Sequence, residues 1–321
     1  MSTMIFPYAG PEAEAYAEAA EEHGEEVLRI YPDMLPSIHS NLFAGAFETM
    51  GAYFQPTHIY CPAASVHHFI RGLIAERNLP IKLIGASPIK KAMEAHRKLM
   101  KRAEELQPLA KIPAVELAGI LKIAMNIYGE SSDEKIAAMI GVFDDTPKEG
   151  NIVEIGCLAG RTAFVLGLMA ARSGINSLLT IDPWSADAGV QSDSPQLLTE
   201  LTNEWDWDTL AEMFDVNTAV RLSYHAHARC SSSDAGVDPS QLEISVLHID
   251  GNHDYAAAKS DCDRFASRVI PGGWLILDDY EWAHGDGPKR AGDELLQDRA
   301  DEIDRHFVVG KALFVKFKGA A

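Results

Sequence analysis

The chain has 321 residues, enough for two domains, and a hydrophobic content of 47% that allows a sizeable core. Its 47 acids against 28 bases give a net charge of −19, which argues against nucleic acid or an anionic membrane surface as a main partner. No apolar run reaches bilayer-spanning length, no charged-then-apolar leader opens the chain, and Cys61, Cys157, Cys230 and Cys262 form no C-x-x-C pair. The expectation is a cytoplasmic protein in a reducing compartment, without a zinc site.

Residues 1–110 carry their own alternation of strands and helices. Short apolar runs at 4–6, 27–30, 58–61 and 81–85 read as strands, and the stretches 11–22, 41–53 and 66–76 read as the helices between them. Ser87 and Pro88 are placed to cap and open a long fourth helix. Such alternation implies a small parallel sheet, here a substrate-side or oligomerisation domain, so a homo-oligomer is an open expectation. The basic run from Lys90 to Arg102 interleaves with Met93, Leu99 and Met100 and reads as the solvated face of that helix. Pro108 and Pro113 mark a helical linker at 111–129, and a second domain is expected over 130–321.

The densest information lies at 150–160, Gly-Asn-Ile-Val-Glu-Ile-Gly-Cys-Leu-Ala-Gly. A buried-strand pattern runs into Gly156 and Gly160, and an apolar helix follows. An open α/β sheet uses strand, glycine turn and helix to admit a nucleotide-like ligand at its carboxyl edge. The spacing is G-x-x-x-G rather than the G-x-G-x-x-G of dinucleotide folds. Glu154, just before the turn, suits a cationic ligand better than a pyrophosphate. An oxidoreductase using a nicotinamide cofactor therefore fits poorly.

Three further apolar runs end in acids: 178–182 at Asp182, 243–250 at Asp250, and 272–279 at Asp278 and Asp279. They should gather at one edge of one sheet, with Asp182 where a Rossmann-like second strand offers a carboxylate to ribose hydroxyls. Three carboxylates (Asp250, Asp278, Asp279) without thiolates favour a hard cation, Mg²⁺ first and Mn²⁺ or Ca²⁺ next. The alternative is that the acidic pair only caps the following helix. His248 should sit inside its strand as a satisfied core histidine. The polar segment 185–207 has the composition of a lid over the acceptor or of a plain surface insertion.

The E-x-G-x-x-x-G turn resembles the first motif of class I S-adenosylmethionine-dependent methyltransferases. With D-G-x-H-x-Y at 250–255 and G-G-x-x-x-x-D-D at 272–279, residues 130–320 resemble the metal-dependent O-methyltransferases of bacterial natural-product pathways, the macrolide- and cephalosporin-tailoring branch. The resemblance implies a Rossmann-like α/β sheet closed by an antiparallel strand, preceded by the smaller α/β domain. It implies S-adenosylmethionine bound by Glu154, Gly156, Gly160, Asp182, Ser231 and Asp250. It also implies magnesium on Asp250, Asp278 and Asp279, and His253 as general base beside Asp250. The branch often has Glu-Asp where this chain has Asp278-Asp279, which leaves open whether both carboxylates reach a metal. Trp184 would wall the pocket. The expected activity is methyl transfer to a hydroxyl of a small-molecule acceptor, a sugar or other polyhydroxylated natural product. A catechol-type enzyme with a small aromatic acceptor and a non-catalytic S-adenosylmethionine-binding scaffold are the alternatives.

Overall fold

A computed structural model of the chain describes residues 2–35, 42–85, 88–175, 177–191, 195–219, 225–234 and 237–320. The expected helix cap at Ser87 and the expected helix start at Asn41 lie outside them. The chain divides into two compact units, 1–98 and 99–321.

The first unit alternates β1 (Ser2–Ile5), α1 (Pro11–Glu22), β2 (Glu26–Arg29), α2 (Phe43–Phe54), β3 (His58–Tyr60), α3 (Ala64–Glu76) and β4 (Lys82–Ile84), before α4 (Pro88–Ala110). Its four strands are parallel in the order β2-β1-β3-β4. Met4, Phe6, Ile30, Phe43, Phe47, Ile59 and Ile70 form its core.

The second unit contains α5 (Ala114–Ala124), α6 (Asp133–Gly141), β5 (Asn151–Ile155), α7 (Arg161–Ser173), β6 (Leu178–Ile181), α8 (Ala186–Gly189), α9 (Gln196–Glu204), α10 (Trp207–Thr218) and β7 (His225–Ala228). It continues through β8 (Ile244–Ile249), α11 (Tyr255–Phe265), β9 (Val269–Leu277), α12 (Gly287–Asp298), β10 (Ile303–Val309) and β11 (Ala312–Phe317). The sheet order is β10-β11-β9-β8-β5-β6-β7. The five strands from β7 to β9 are parallel, while β11 runs antiparallel to β9 and β10 antiparallel to β11. The closing antiparallel strand expected from the resemblance is therefore present. Its hairpin turns at Gly310 and Lys311, which have φ of 56° and 70°, the two left-handed residues that a tight right-twisting hairpin requires.

Strands covered on both faces read as continuous apolar runs. All six residues of β8 are buried, as are all six of β11. Residues 111–129, expected as a linker, belong to this core. Leu117, Ile120, Leu121 and Ala124 of α5 cluster with Phe164, Val165 and Met169 of α7. Their three-and-four spacing is that of a helix with one buried face. The strand order reverses beside β5, with β6 on one side and β8 on the other. That switch point opens a crevice at the carboxyl ends of the strands.

Candidate active site

The turn after β5 starts the crevice. Gly156 has φ of 81°, and a Cβ there would lie 1.8 Å from the Asp250 carbonyl oxygen. The glycine is thus imposed by the close passage of the loop after β8. Gly160, at φ 90°, is the left-handed residue preceding α7, where a Cβ would press on Phe214 and Thr218.

Asp182, at the end of β6, is the hub of this turn. Its Oδ2 accepts the backbone N–H groups of Cys157 (2.7 Å) and Leu158 (3.1 Å), and its Oδ1 accepts that of Trp184 (2.7 Å). Burial pushes the Asp182 pKa up against the three N–H groups that favour the carboxylate. Leu158 and Trp184 both have positive φ, 47° and 43°, and Asp279 after β9 has 50°. Left-handed conformations at bulky residues are strained, and such strain collects at functional edges. Trp184 differs from expectation. It is 3% exposed, packs with Cys157, Ala163 and Phe214, and donates its indole N–H to Leu158. It braces the turn from within rather than walling a pocket.

Glu154 also departs from expectation. It has no exposed surface from which to touch a ligand. The parallel register places it opposite His248, whose Nδ1 lies 3.0 Å from Glu154 Oε1. Burial raises the Glu154 pKa to about 8 and lowers that of His248 to about 3. Burial thus favours the uncharged form of both groups, and the contact is a hydrogen bond within the sheet.

Asp250 follows β8, and Asp278 and Asp279 follow β9, so the acids do meet at one edge. Their ligand atoms fall into two convergent sets rather than one. Lys135 of α6, 1% exposed, directs its ammonium between two of the acids, paired with Asp278 Oδ2 and 3.4 Å from Asp250 Oδ2. A cation of the chain itself thus stands between two of the acids expected to hold the divalent ion. The ligand atoms that do converge, within 4.8 Å of one another, are those of Asp250, His253 and Asp279, and separately of His248, Asp250 and Asp278. Sequence reasoning missed Lys135. The trace it leaves is a lone lysine on the first turn of a helix whose next six residues are all buried.

His253 leaves the same loop as Asp250. Its Nε2 lies 3.0 Å from Asp279 Oδ2, and its Nδ1 has no hydrogen-bond partner among the described residues. Burial pulls the His253 pKa down. The hydrogen bond to Asp279 and the charges of Asp279, Asp250 and Glu130 outweigh it, leaving the pKa above the ordinary value. Trp282 meets the imidazole edge-on at 4.8 Å, and His284 meets Trp282 at 5.5 Å. The nearby phenols are committed elsewhere, Tyr255 to Glu294 and Tyr280 to Asp293.

On the other side of the crevice, Ser231 follows β7. Its N–H is held by Asp234 at 2.9 Å and its hydroxyl lies 2.9 Å from that of Ser233. Ser232 donates to Asp261 at 2.5 Å, and burial raises the Asp261 pKa to about 6. The segment expected as a lid contains α8 and α9 and leads into α10. Asn252, two residues after Asp250, holds it through the carbonyls of Ala188 (2.8 Å) and Val190 (3.0 Å).

A family described as "Methyltransferase domain" matches residues 153–280. No curated protein sequence matches the chain. Among solved structures it is similar to the O-methyltransferase NovP, at 15% identity over 59% of this chain and 83% of that one, with a TM-score of 0.45. It is also similar to CalS11, a TDP-rhamnose 3'-O-methyltransferase in calicheamicin biosynthesis, at 13% identity over 73% and 96%, TM-score 0.43. A third is MycE, a methyltransferase of the mycinamycin pathway solved with Mg and SAH, at 13% identity over 63% and 55%, TM-score 0.40. Among the described residues, no helix is long and apolar enough to cross a membrane.

Proposed function

We propose that the chain transfers a methyl group from S-adenosylmethionine to a hydroxyl of a sugar or other polyhydroxylated small molecule. The observation that carries this reading is the His253–Asp279 pair. An imidazole with one nitrogen on a carboxylate and the other unpartnered stands at the carboxyl edge of the sheet, beside the switch point. A buried polar atom without a partner calls for one, and an acceptor hydroxyl would supply it.

The residues fit the cofactor in two respects. The crevice is lined by carboxylates, which suits a sulfonium. A carboxylate offers about four acceptor positions, and Asp182 uses three, so one remains for a ribose hydroxyl. Bound S-adenosylmethionine supplies an electrophilic methyl, whose carbon–sulfur bond electrons return to sulfur as the new oxygen–carbon bond forms. His253 Nδ1 takes the acceptor's proton as its oxygen attacks. Asp279 holds the ring by Nε2–H and offsets the positive charge that the imidazole gains. The turn at 156–160 and Asp182 fix the donor against the acceptor, and this positioning is the larger part of catalysis. The Mg²⁺ or Mn²⁺ expected from the sequence has no step here, because Lys135 holds Asp278 and stands beside Asp250.

Trp282, edge-on to His253, also favours a second reading, a small aromatic acceptor of catechol type stacked on that indole. Assays with nucleotide sugars, glycosides and catechols separate the two. Labelled methyl in a sugar ether supports the first reading. Transfer confined to catechols supports the second. Tight cofactor binding with transfer to none of them would favour a scaffold and count against both.

A further inference from the structure

We infer that Lys135 is the resident cation of the acidic cluster, taking the position between Asp250 and Asp278 that a divalent ion would occupy, so that the reaction runs without a metal. This rests on the reading of this edge as the methyl-transfer site.

The lysine is built in. Its side chain is 1% exposed, and its ammonium pairs with Asp278 and lies 3.4 Å from Asp250. Its backbone N–H is held by the Ser132 side chain at the start of α6. The β10–β11 turn packs directly onto it, since a Cβ at Gly310 would lie 2.8 Å from the Lys135 Cβ and 3.0 Å from its nitrogen. The glycine at the hairpin turn and the backbone of the buried lysine beneath it form one packing unit.

Charge leads to the same assignment. Asp250, Asp278 and Asp279 would repel one another in a partly buried edge unless a cation sat among them. Lys135 supplies that charge for Asp278 and Asp250, while Asp279 is hydrogen-bonded to His253. A divalent ion bound through Asp250, in either convergent set, would sit beside a buried ammonium, and repulsion between like charges is strong where the effective dielectric is low. Lys135 is a positioning residue. It is itself buried, and its ammonium holds the side chain of Asp250, which is 26% exposed.

The test is a Mn²⁺ titration followed by electron paramagnetic resonance, with methyl transfer measured in parallel with and without chelator. The wild type should show no stoichiometric Mn²⁺ site and keep its full rate in EDTA. Lys135→Met, which removes the charge but keeps the packing volume, should gain one Mn²⁺ per chain and melt at a higher temperature when Mn²⁺ is added. Lys135→Arg, which keeps the charge, should gain no site. A stoichiometric Mn²⁺ site in the wild type overturns the inference. So does a wild-type rate lost in EDTA and restored by Mg²⁺, or a folded Lys135→Met that gains no Mn²⁺. If Lys135→Met does not fold, the wild-type titration decides alone. That titration needs no turnover, so a failed acceptor assay would count against the methyl-transfer reading and leave this one to be judged separately.

Discussion

Asp182 accepts the backbone N–H of Trp184 at 2.7 Å, and the Trp184 indole in turn donates to the carbonyl of Leu158 at 2.9 Å. The carboxylate thereby ties the turn after β5 to the turn after β6. Hydrogen bonds to charged groups contribute about 1.5–3 kcal/mol each. Asp182→Asn keeps the shape but replaces one acceptor oxygen with a donor that faces other N–H groups. It should lower the denaturant midpoint and weaken S-adenosylmethionine binding together. Calorimetry and a urea titration check this, and wild-type affinity in the variant would remove Asp182 from the cofactor site.

His253 should govern the pH profile. As the base it works only when neutral, and its pKa lies above the ordinary histidine value of about 6.5. The rate should therefore fall as pH drops through an inflection above that value. Asp279→Asn removes the partner that raises the pKa. Burial then dominates, and the inflection should move to lower pH while the maximal rate declines. His253→Asn should cost about 10²- to 10⁴-fold in kcat with little change in cofactor affinity. Retention of most of the activity in His253→Asn would reduce the residue to a brace for the Asp250 loop.

The Glu154–His248 contact sets a stability trend. The Glu154 pKa rises from 4.5 in the unfolded chain to about 8 in the fold. Below the lower value both states are protonated and the group has no effect. As pH rises from there toward about 8 the unfolded chain ionises while the native one keeps its proton, so stability is lost over that window. His248, lowered to about 3, acts in the opposite direction, removing stability as pH falls below its ordinary 6.5. Glu154→Gln mimics the neutral acid and abolishes the first effect. Its melting temperature relative to the wild type should rise steadily across the Glu154 window. A constant difference would mean that Glu154 is ionised in the fold.

Gly156→Ala should unfold the second unit or destabilise it well beyond the ~1 kcal/mol of an ordinary substitution. The new methyl group would meet the Asp250 carbonyl at 1.8 Å, on a backbone at φ 81°. Chemical denaturation of the variant checks this, and wild-type stability would show that the two loops can part.

Much of the sheet was legible in the sequence because parallel strands buried on both faces leave unbroken apolar runs, as at Ile244–Ile249. The acids at the strand ends were legible for the same reason, since a run that stops at a charge marks an edge. Side-chain partnership across the sheet was not. Nothing local shows that Glu154 lies opposite His248, because parallel register joins residues far apart in sequence. Lys135 is further still from the acids it neutralises, and only the packing of α6 under the β10–β11 turn brings them together. The apolar stripe of α5 was visible, but Pro108 and Pro113 just ahead of it made the stretch read as a linker.

The central claim, methyl transfer to a hydroxyl, is tested most directly with S-adenosylmethionine labelled in its methyl group. The purified chain is incubated with nucleotide sugars, sugar-bearing natural products and catechols, and the products are located by mass spectrometry and NMR. The expected result is label in an O-methyl ether of a hydroxylated acceptor, strongly reduced in His253→Asn. Label on nitrogen or carbon, or no binding of the cofactor by the folded chain, would contradict it.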